Sequence, residues 1–267
     1  MKQNVTAMYF SPTGTTEKVV RGLAEFLAEG DTCKTRSFTL PEERKNPAVF
    51  GLDDLVVLGV PVYAGRVPNV LLPYLGTLEG NGARAVAITV YGNRNYDDAL
   101  VELIDLLTSR GFRVAAAGAF VGEHSFSRTM GAGRPDGRDM EEVSRFAAKV
   151  KEKLEAGWEA PVSGAGCRPY RPYYRPKNPL GEFVDIRKVT PKTKETCTRC
   201  MICVNSCPMG SIDPEDPKRM IGICIKCGAC VKKCPVGAKY YDDSNYLRHK
   251  EELEAQFTAR RAPEWFV

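Results

Sequence analysis

CTRCMICVNSCP at residues 197–208 and CIKCGACVKKCP at residues 224–235 are two copies of one pattern, C-x2-C-x2-C-x3-C-P. Together they use eight of the ten cysteines in the chain. The x2-x2 spacing brings three thiolates of one short loop to three corners of an iron–sulfur cube. The last cysteine of each run cannot comfortably reach the fourth corner and is expected to serve the other cube. The predicted ligand sets are therefore Cys197, Cys200, Cys203 and Cys234 for one [4Fe–4S] cluster, and Cys224, Cys227, Cys230 and Cys207 for the second.

Other uses of these cysteines fit less well. Structural zinc takes separated C-x2-C pairs that close one tetrahedral site. Disulfides need an oxidising compartment, and the opening MKQNVTAMYF has no basic stretch leading into an apolar segment and cleavage site. A cytoplasmic protein without a membrane span is expected. Hydrophobic content of 43% and charged content of 27% are those of ordinary globular protein. Residues 190–241 hold nine Lys/Arg against four Asp/Glu. That local excess balances the negative charge of two four-thiolate cubes, so no nucleic-acid partner is expected.

Upstream, strands and helices alternate. Residues 4–10, 32–39, 55–60, 84–90 and 113–121 read as strands, with LVVLGV at 55–60 apolar enough for burial on both faces. Helices are expected from the 11–16 turn to about Glu29, over 96–110, and from Asp139 to Ala156. The first should bury Val19, Val20, Leu23, Phe26 and Leu27, the second Leu100, Leu103, Ile104 and Leu107. The predicted fold class is α/β, a five-stranded doubly wound parallel sheet of order 2-1-3-4-5 with a small α+β two-cluster domain.

In such a sheet, ligands bind beyond the carboxyl ends of the strands at the switch point. The loop after strand one is Ser11-Pro12-Thr13-Gly14-Thr15-Thr16, hydroxyls and amides at a helix N-terminus with no lysine and no Walker pattern. It suits a single phosphate monoester. Pro61-Val62-Tyr63-Ala64-Gly65 and Tyr91-Gly92-Asn93, with Tyr96, bring aromatics and glycines to the same edge, where a planar ring could stack. A dinucleotide fingerprint is absent. The one G-x-G-x-x-A match, residues 80–85, precedes a strand and reads as a turn.

The SPTGTT loop resembles the flavodoxin phosphate signature, [ST]-x-T-G-x-T, and the whole chain is similar to flavodoxin–ferredoxin fusions over residues 1–156 and 190–241. The resemblance implies non-covalent FMN, with Ser11, Thr13, Gly14, Thr15 and Thr16 around the phosphate. It implies Tyr63 on one side of the ring, Tyr91 or Tyr96 on the other, and backbone of Gly65, Gly92 and Asn93 at its polar edge. The departure is charge: Arg66 and Arg94 stand where flavodoxins commonly carry acidic residues.

The remaining segments are a 122–138 loop, a 157–189 strap rich in Pro, Tyr and Arg, and a 242–267 tail. Loops as long as the first are usually functional, and its His124 is a candidate donor to flavin or substrate. Ser125, Ser127 and Arg128 are weaker candidates, and the loop is alternatively the docking surface for the cluster domain. The strap is expected to pack across the domains. The tail is expected to form one amphipathic helix ending in Trp265-Phe266, a pair that packs on this chain or on a second copy as a homodimer. Cys33 and Cys167 are unligated thiols. The functional expectation is electron transfer between FMN, two clusters and a redox partner protein; the alternative is an FMN-dependent reductase of a small substrate such as a quinone or nitro compound.

Overall fold

The computed structural model describes residues 4–158 and 162–267. Residues 1–3 of the first predicted segment and 159–161 of the strap lie outside the described residues. The first lobe runs β1 (Asn4–Tyr9), α1 (Thr15–Leu27), β2 (Lys34–Ser37), β3 (Asp54–Pro61), the one-turn α2 (Leu72–Leu75), β4 (Arg84–Tyr91), α3 (Ala99–Ser109), β5 (Arg113–Val121) and α4 (Gly137–Ala156). The first five strands are parallel and ordered β2-β1-β3-β4-β5, the flavodoxin-like doubly wound order.

Each face of the sheet has its own core. Val19, Val20 and Leu23 of α1 meet Val143, Phe146 and Val150 of α4 over Val57 and Ile88. On the opposite face Leu100, Leu103, Ile104 and Leu107 of α3 cover Val56, Leu58 and Ala87. This two-sided burial explains why β3 is apolar almost without break. Each fully buried Leu or Val contributes about 1.5–3 kcal/mol.

Several boundaries shift for identifiable reasons. Helix α4 begins two residues before the expected Asp139 because Asp136 caps it, accepting from the Asp139 amide at 3.2 Å while the Asp139 carboxylate accepts from the Asp136 amide at 2.9 Å. Strand β2 is short and lies at the sheet edge, and Phe38 leaves it to enter the core. Helix α3 starts at Ala99 because Asp97, at φ 45°, belongs to a turn. Phe26 is 42% exposed, at the rim of the α1 stripe centred on Val20, Leu23 and Leu27.

The second lobe contains β6 (Lys192–Thr193), α5 (Ile202–Asn205), α6 (Ala229–Lys232) and β7 (Lys239–Tyr240), with β6 and β7 paired antiparallel. The tail forms α7 (Ser244–Gln256) and then β8 (Glu264–Phe266). The expectation of one continuous helix is corrected here. The chain after Gln256 runs across the β4–α3 loop, Pro263 blocks further helix, and β8 pairs antiparallel with β5. Trp265 then packs on Phe146 at 5.6 Å between ring centroids, so the aromatic pair serves its own chain and closes one edge of the sheet.

The strap lies on the first lobe. Asp98, fully buried, accepts from the Cys167 and Arg171 amides at 2.9 and 2.7 Å and pairs with the Arg171 guanidinium. Arg168 and Tyr170 both bind Asp105, and the Tyr173 hydroxyl donates to the Val67 carbonyl at 2.8 Å.

Candidate cofactor sites

The two cysteine runs fold as near copies. In each, the residue after the second cysteine is left-handed, Met201 at φ 62° and Gly228 at φ 75°, and opens a one-turn helix. The residue before that cysteine is left-handed too, Arg199 at 54° and Lys226 at 55°. After the proline, Gly210 and Gly237 turn the chain so that Ser211 and Ala238 donate their amides to Cys207 and Cys234 sulfurs at 3.3 and 3.1 Å. A thiolate with an amide donor is better stabilised as an anion.

The folded runs regroup their thiols. Cys197, Cys200 and Cys203 line one pocket together with Cys234, the last cysteine of the other run. Cys224, Cys227 and Cys230 line a second pocket together with Cys207. All eight are free thiols. Among the described residues no three Cys, His, Asp or Glu side chains are placed to hold a single metal ion. Four thiols that line one pocket without forming a single-ion site fit a cube and not a tetrahedral zinc.

The surroundings of the two sets differ. Cys200 is exposed, whereas Cys227 and Cys230 are buried. Burial pushes the Cys227 thiol up to about 12 and the Cys230 thiol higher still, so deprotonation there awaits metal. The cover over this second set comes from the first lobe. A Cβ on Gly228 would lie 2.3 Å from the Ser125 carbonyl oxygen. Lys232 donates to the carbonyls of His124 at 2.7 Å and Ser127 at 2.9 Å and pairs with Glu123. Burial alone would raise the Glu123 carboxyl, but Lys232, the Gly133 amide and Arg128 together hold it below its usual range. Arg128 donates to the Val231 carbonyl at 3.0 Å. On the far side Arg44 reaches the Pro208 carbonyl at 2.6 Å.

At the carboxyl edge of the sheet, Gly14 sits at φ 90° and lets the chain turn into α1, whose first amides have no helical acceptor. The Ser11 hydroxyl is committed to the Glu17 amide at 2.9 Å. The Thr16 hydroxyl is buried without a partner. An orphaned hydroxyl beside free helix-start donors fits a phosphate group. Pro12 is buried in the same turn; Thr13, Gly14 and Thr15 are half-buried.

Pro61, Val62 and Tyr63 are half-buried, and Tyr63 and Arg66 exchange backbone hydrogen bonds at 3.0 and 3.1 Å across Ala64 and Gly65. Burial raises the Tyr63 phenol well above its usual value, with Cys227 and Cys224 adding to it, which sets this ring close to the second thiol set. Tyr91 and Tyr96 differ from the expectation of a free ring face. They pack on each other at 5.5 Å, almost fully buried, and the Tyr96 hydroxyl donates to Glu264 at 2.7 Å. Asn93 is buried and donates to the Phe257 and Ala259 carbonyls, both at 2.9 Å, so it clamps the tail.

The expected cation at the ring is likewise neutralised. Arg66 forms a two-pronged pair with buried Glu102 at 2.7 Å and lies between the Tyr170 and Tyr173 rings. Arg94 pairs with Asp97 and stacks over Tyr174. His124 lies against Gly92, where a Cβ would meet its ring at 2.3 Å. Burial, reinforced by Lys232, lowers its pKa to about 4, and its Nδ1 accepts from the Phe126 amide at 3.1 Å. The neutral ring therefore carries its proton on Nε2.

Sequence reasoning missed Lys232, Glu102 and Asp98 as organising charges. The readable signal for the first contact was the mismatch between the runs, Gly228 where the other has Met201.

Residues 196–239 match the family model described as a 4Fe-4S dicluster domain. No curated protein matches the chain. Among solved structures, a flavodoxin from the domain Archaea is 14% identical, with 57% of this chain and 99% of that one covered at a TM-score of 0.38. A Streptococcus pneumonia TIGR4 flavodoxin is 18% identical, covering 55% and 97% at 0.39. Rubredoxin oxygen:oxidoreductase from Desulfovibrio gigas is 20% identical, covering 58% of this chain and 37% of that one at 0.41. The chain joins a flavodoxin-like fold to a 4Fe-4S dicluster domain.

Proposed function

We propose that the chain is an electron carrier that holds FMN at the carboxyl edge of the sheet and two [4Fe–4S] clusters in the second lobe. Its units are residues 1–156 for flavin, 157–189 as strap, 190–241 for the clusters and 242–267 as a tail. The observation that carries the reading is the exchange of the fourth cysteine between runs, with Cys234 beside Cys197, Cys200 and Cys203, and Cys207 beside Cys224, Cys227 and Cys230. When bound, flavin accepts two electrons singly or together and each cluster passes one.

The protein's own residues bind, orient and exclude water. Gly14 and the amides and hydroxyls of Thr13, Thr15 and Thr16 would hold the phosphate, with Ser11 fixing the turn through Glu17. Tyr63 would flank the ring, with Pro61, Val62, Ala64 and Gly65 shaping that side and Gly92 leaving room beside His124. Tyr91, Tyr96 and Asn93 act one layer out by fixing the loop to the tail. Lys232 and the strap exclude solvent from this edge.

A carrier is favoured over a reductase because the groups a small substrate would use are already committed. Arg128 binds Val231, and Ser125 lies against Gly228. Among the described residues no helix is long and apolar enough to cross a membrane. The clusters suit a cytoplasmic, reducing setting, with a redox protein as external partner.

The test is anaerobic purification followed by reductive titration with optical and EPR detection. One FMN and two reducible cubes per chain, with no turnover of quinones or nitro compounds, is the expected outcome. Clusters without flavin would remove the first lobe from the scheme, and rapid reoxidation by one small acceptor would make the protein a reductase.

A further inference from the structure

A continuous file of rings joins the second thiol set to the candidate flavin edge. It begins at Cys224, whose sulfur lies 3.5 Å from the Tyr241 hydroxyl. Tyr241 stacks on Tyr246 at 4.3 Å and 28°. Tyr246 packs on Phe126 at 4.6 Å, and Phe126 meets the edge of His124 at 5.2 Å. The His124 ring then touches the loop after β4 at Gly92. Three separate parts of the sequence supply these rings: the segment after β7, helix α7 and the 122–138 loop. Tyr246 is 2% exposed, so the file is dry at its middle. The Cys197 set has the opposite setting, with Cys200 exposed beside Ile202, itself 39% exposed.

We propose that Tyr241, Tyr246, Phe126 and His124 are positioning residues that form the bridge between the Cys224 cluster and the flavin, and that electrons cross the molecular surface at the Cys200 edge. The inference rests on the carrier reading above. Each step moves one electron and breaks no bond: the Cys224 cluster is oxidised by one, the flavin is reduced by one, and the Cys197 cluster refills the Cys224 cluster. A second electron follows the same path, an external one-electron reductant reloads the Cys197 cluster, and solvent supplies the proton that reduced flavin takes up. The rings themselves are not oxidised or reduced. They fill the interval with packed matter, through which electronic coupling decays less steeply than through water or empty space. Cooperative packing of the lobes would be served by any apolar residues; an unbroken run of contacting rings goes beyond that need.

The Tyr246 hydroxyl makes no hydrogen bond among the described residues, so the ring can be tested apart from the phenol. The full-length chain, loaded with flavin and iron, is mixed with less than one equivalent of a one-electron reductant, and cluster and flavin bleaching are followed separately. Tyr246→Phe is expected to behave as the parent. Tyr246→Leu is expected to slow flavin bleaching severalfold, with cluster bleaching and all potentials unchanged. Phe126→Leu is expected to do the same and serves if the first variant fails to fold. Flavin bleaching at the parental rate in a loaded Leu variant, or equal slowing by Phe and Leu at 246, would overturn the bridge. A parent chain that purifies with iron but no flavin overturns the carrier reading instead, and that is seen before any kinetics.

Discussion

The two cysteine runs have one spacing and one backbone shape, yet they lie in unlike surroundings. The Cys197 run faces solvent at Cys200, and its left-handed Met201 has room for a side chain. The equivalent Gly228 is pressed against the Ser125 carbonyl, and Asn205 of the first run, exposed, becomes the enclosed Lys232 of the second. The local motif determines how sulfurs are arranged, and the neighbouring lobe determines which set is covered. A repeat gives two like sites, and docking makes them unlike.

The sharpest way to break this contrast is to exchange the equivalent residues. Gly228→Met should force the lobes apart, because its Cβ has no space and its φ is already left-handed. A loss of about 3 kcal/mol or more is expected, read as a lower Tm and faster proteolysis within the 122–138 loop. Lys232→Met removes three acceptor contacts and leaves Glu123 without its cation. Its cost should be about 3 kcal/mol by denaturant titration, and Asn205→Met, at the exposed equivalent, should change stability by less than about 0.5 kcal/mol.

A smaller effect is expected at the strap. The Arg171 guanidinium and amide hold the Asp98 carboxyl well below its usual range. Such a depressed acid contributes stability above its unfolded pKa, near 4, and loses it as pH falls below that value toward the folded pKa. Asp98→Asn should cost about 1–3 kcal/mol at neutral pH and flatten the acid side of the Tm–pH curve. Should the variant keep the parental pH profile, the strap is held by Tyr173 and Asp105 instead. The smallest change is the reverse exchange, Met201→Gly. It relieves a left-handed residue in open surroundings and should be worth no more than about 1 kcal/mol in either direction by thermal melt.

Reading from sequence succeeded where a pattern has a local cause. The parallel sheet followed from apolar runs alternating with helices, and the dicluster domain followed from the repeated C-x2-C-x2-C-x3-C-P spacing. It failed where a distant segment sets the outcome. Tyr91 and Tyr96 read as ring-flanking loop residues, but Glu264 and the returning tail draw them into the core. Arg66 and Arg94 read as cations in the ring-binding loops, but Glu102 on the α3 face and Asp97 pair with them. The tail read as one helix because nothing nearby announces that β5 has an open edge.

By itself the sequence determined the parallel sheet and the dicluster motif, since both depend on residue spacing and patterning along the chain. Only the tertiary structure decided which thiol set is buried, which tyrosines keep a free face and where the tail ends. Those outcomes depend on contacts between segments more than a hundred residues apart, such as Lys232 with Glu123 and Tyr96 with Glu264, whose geometry no local pattern encodes.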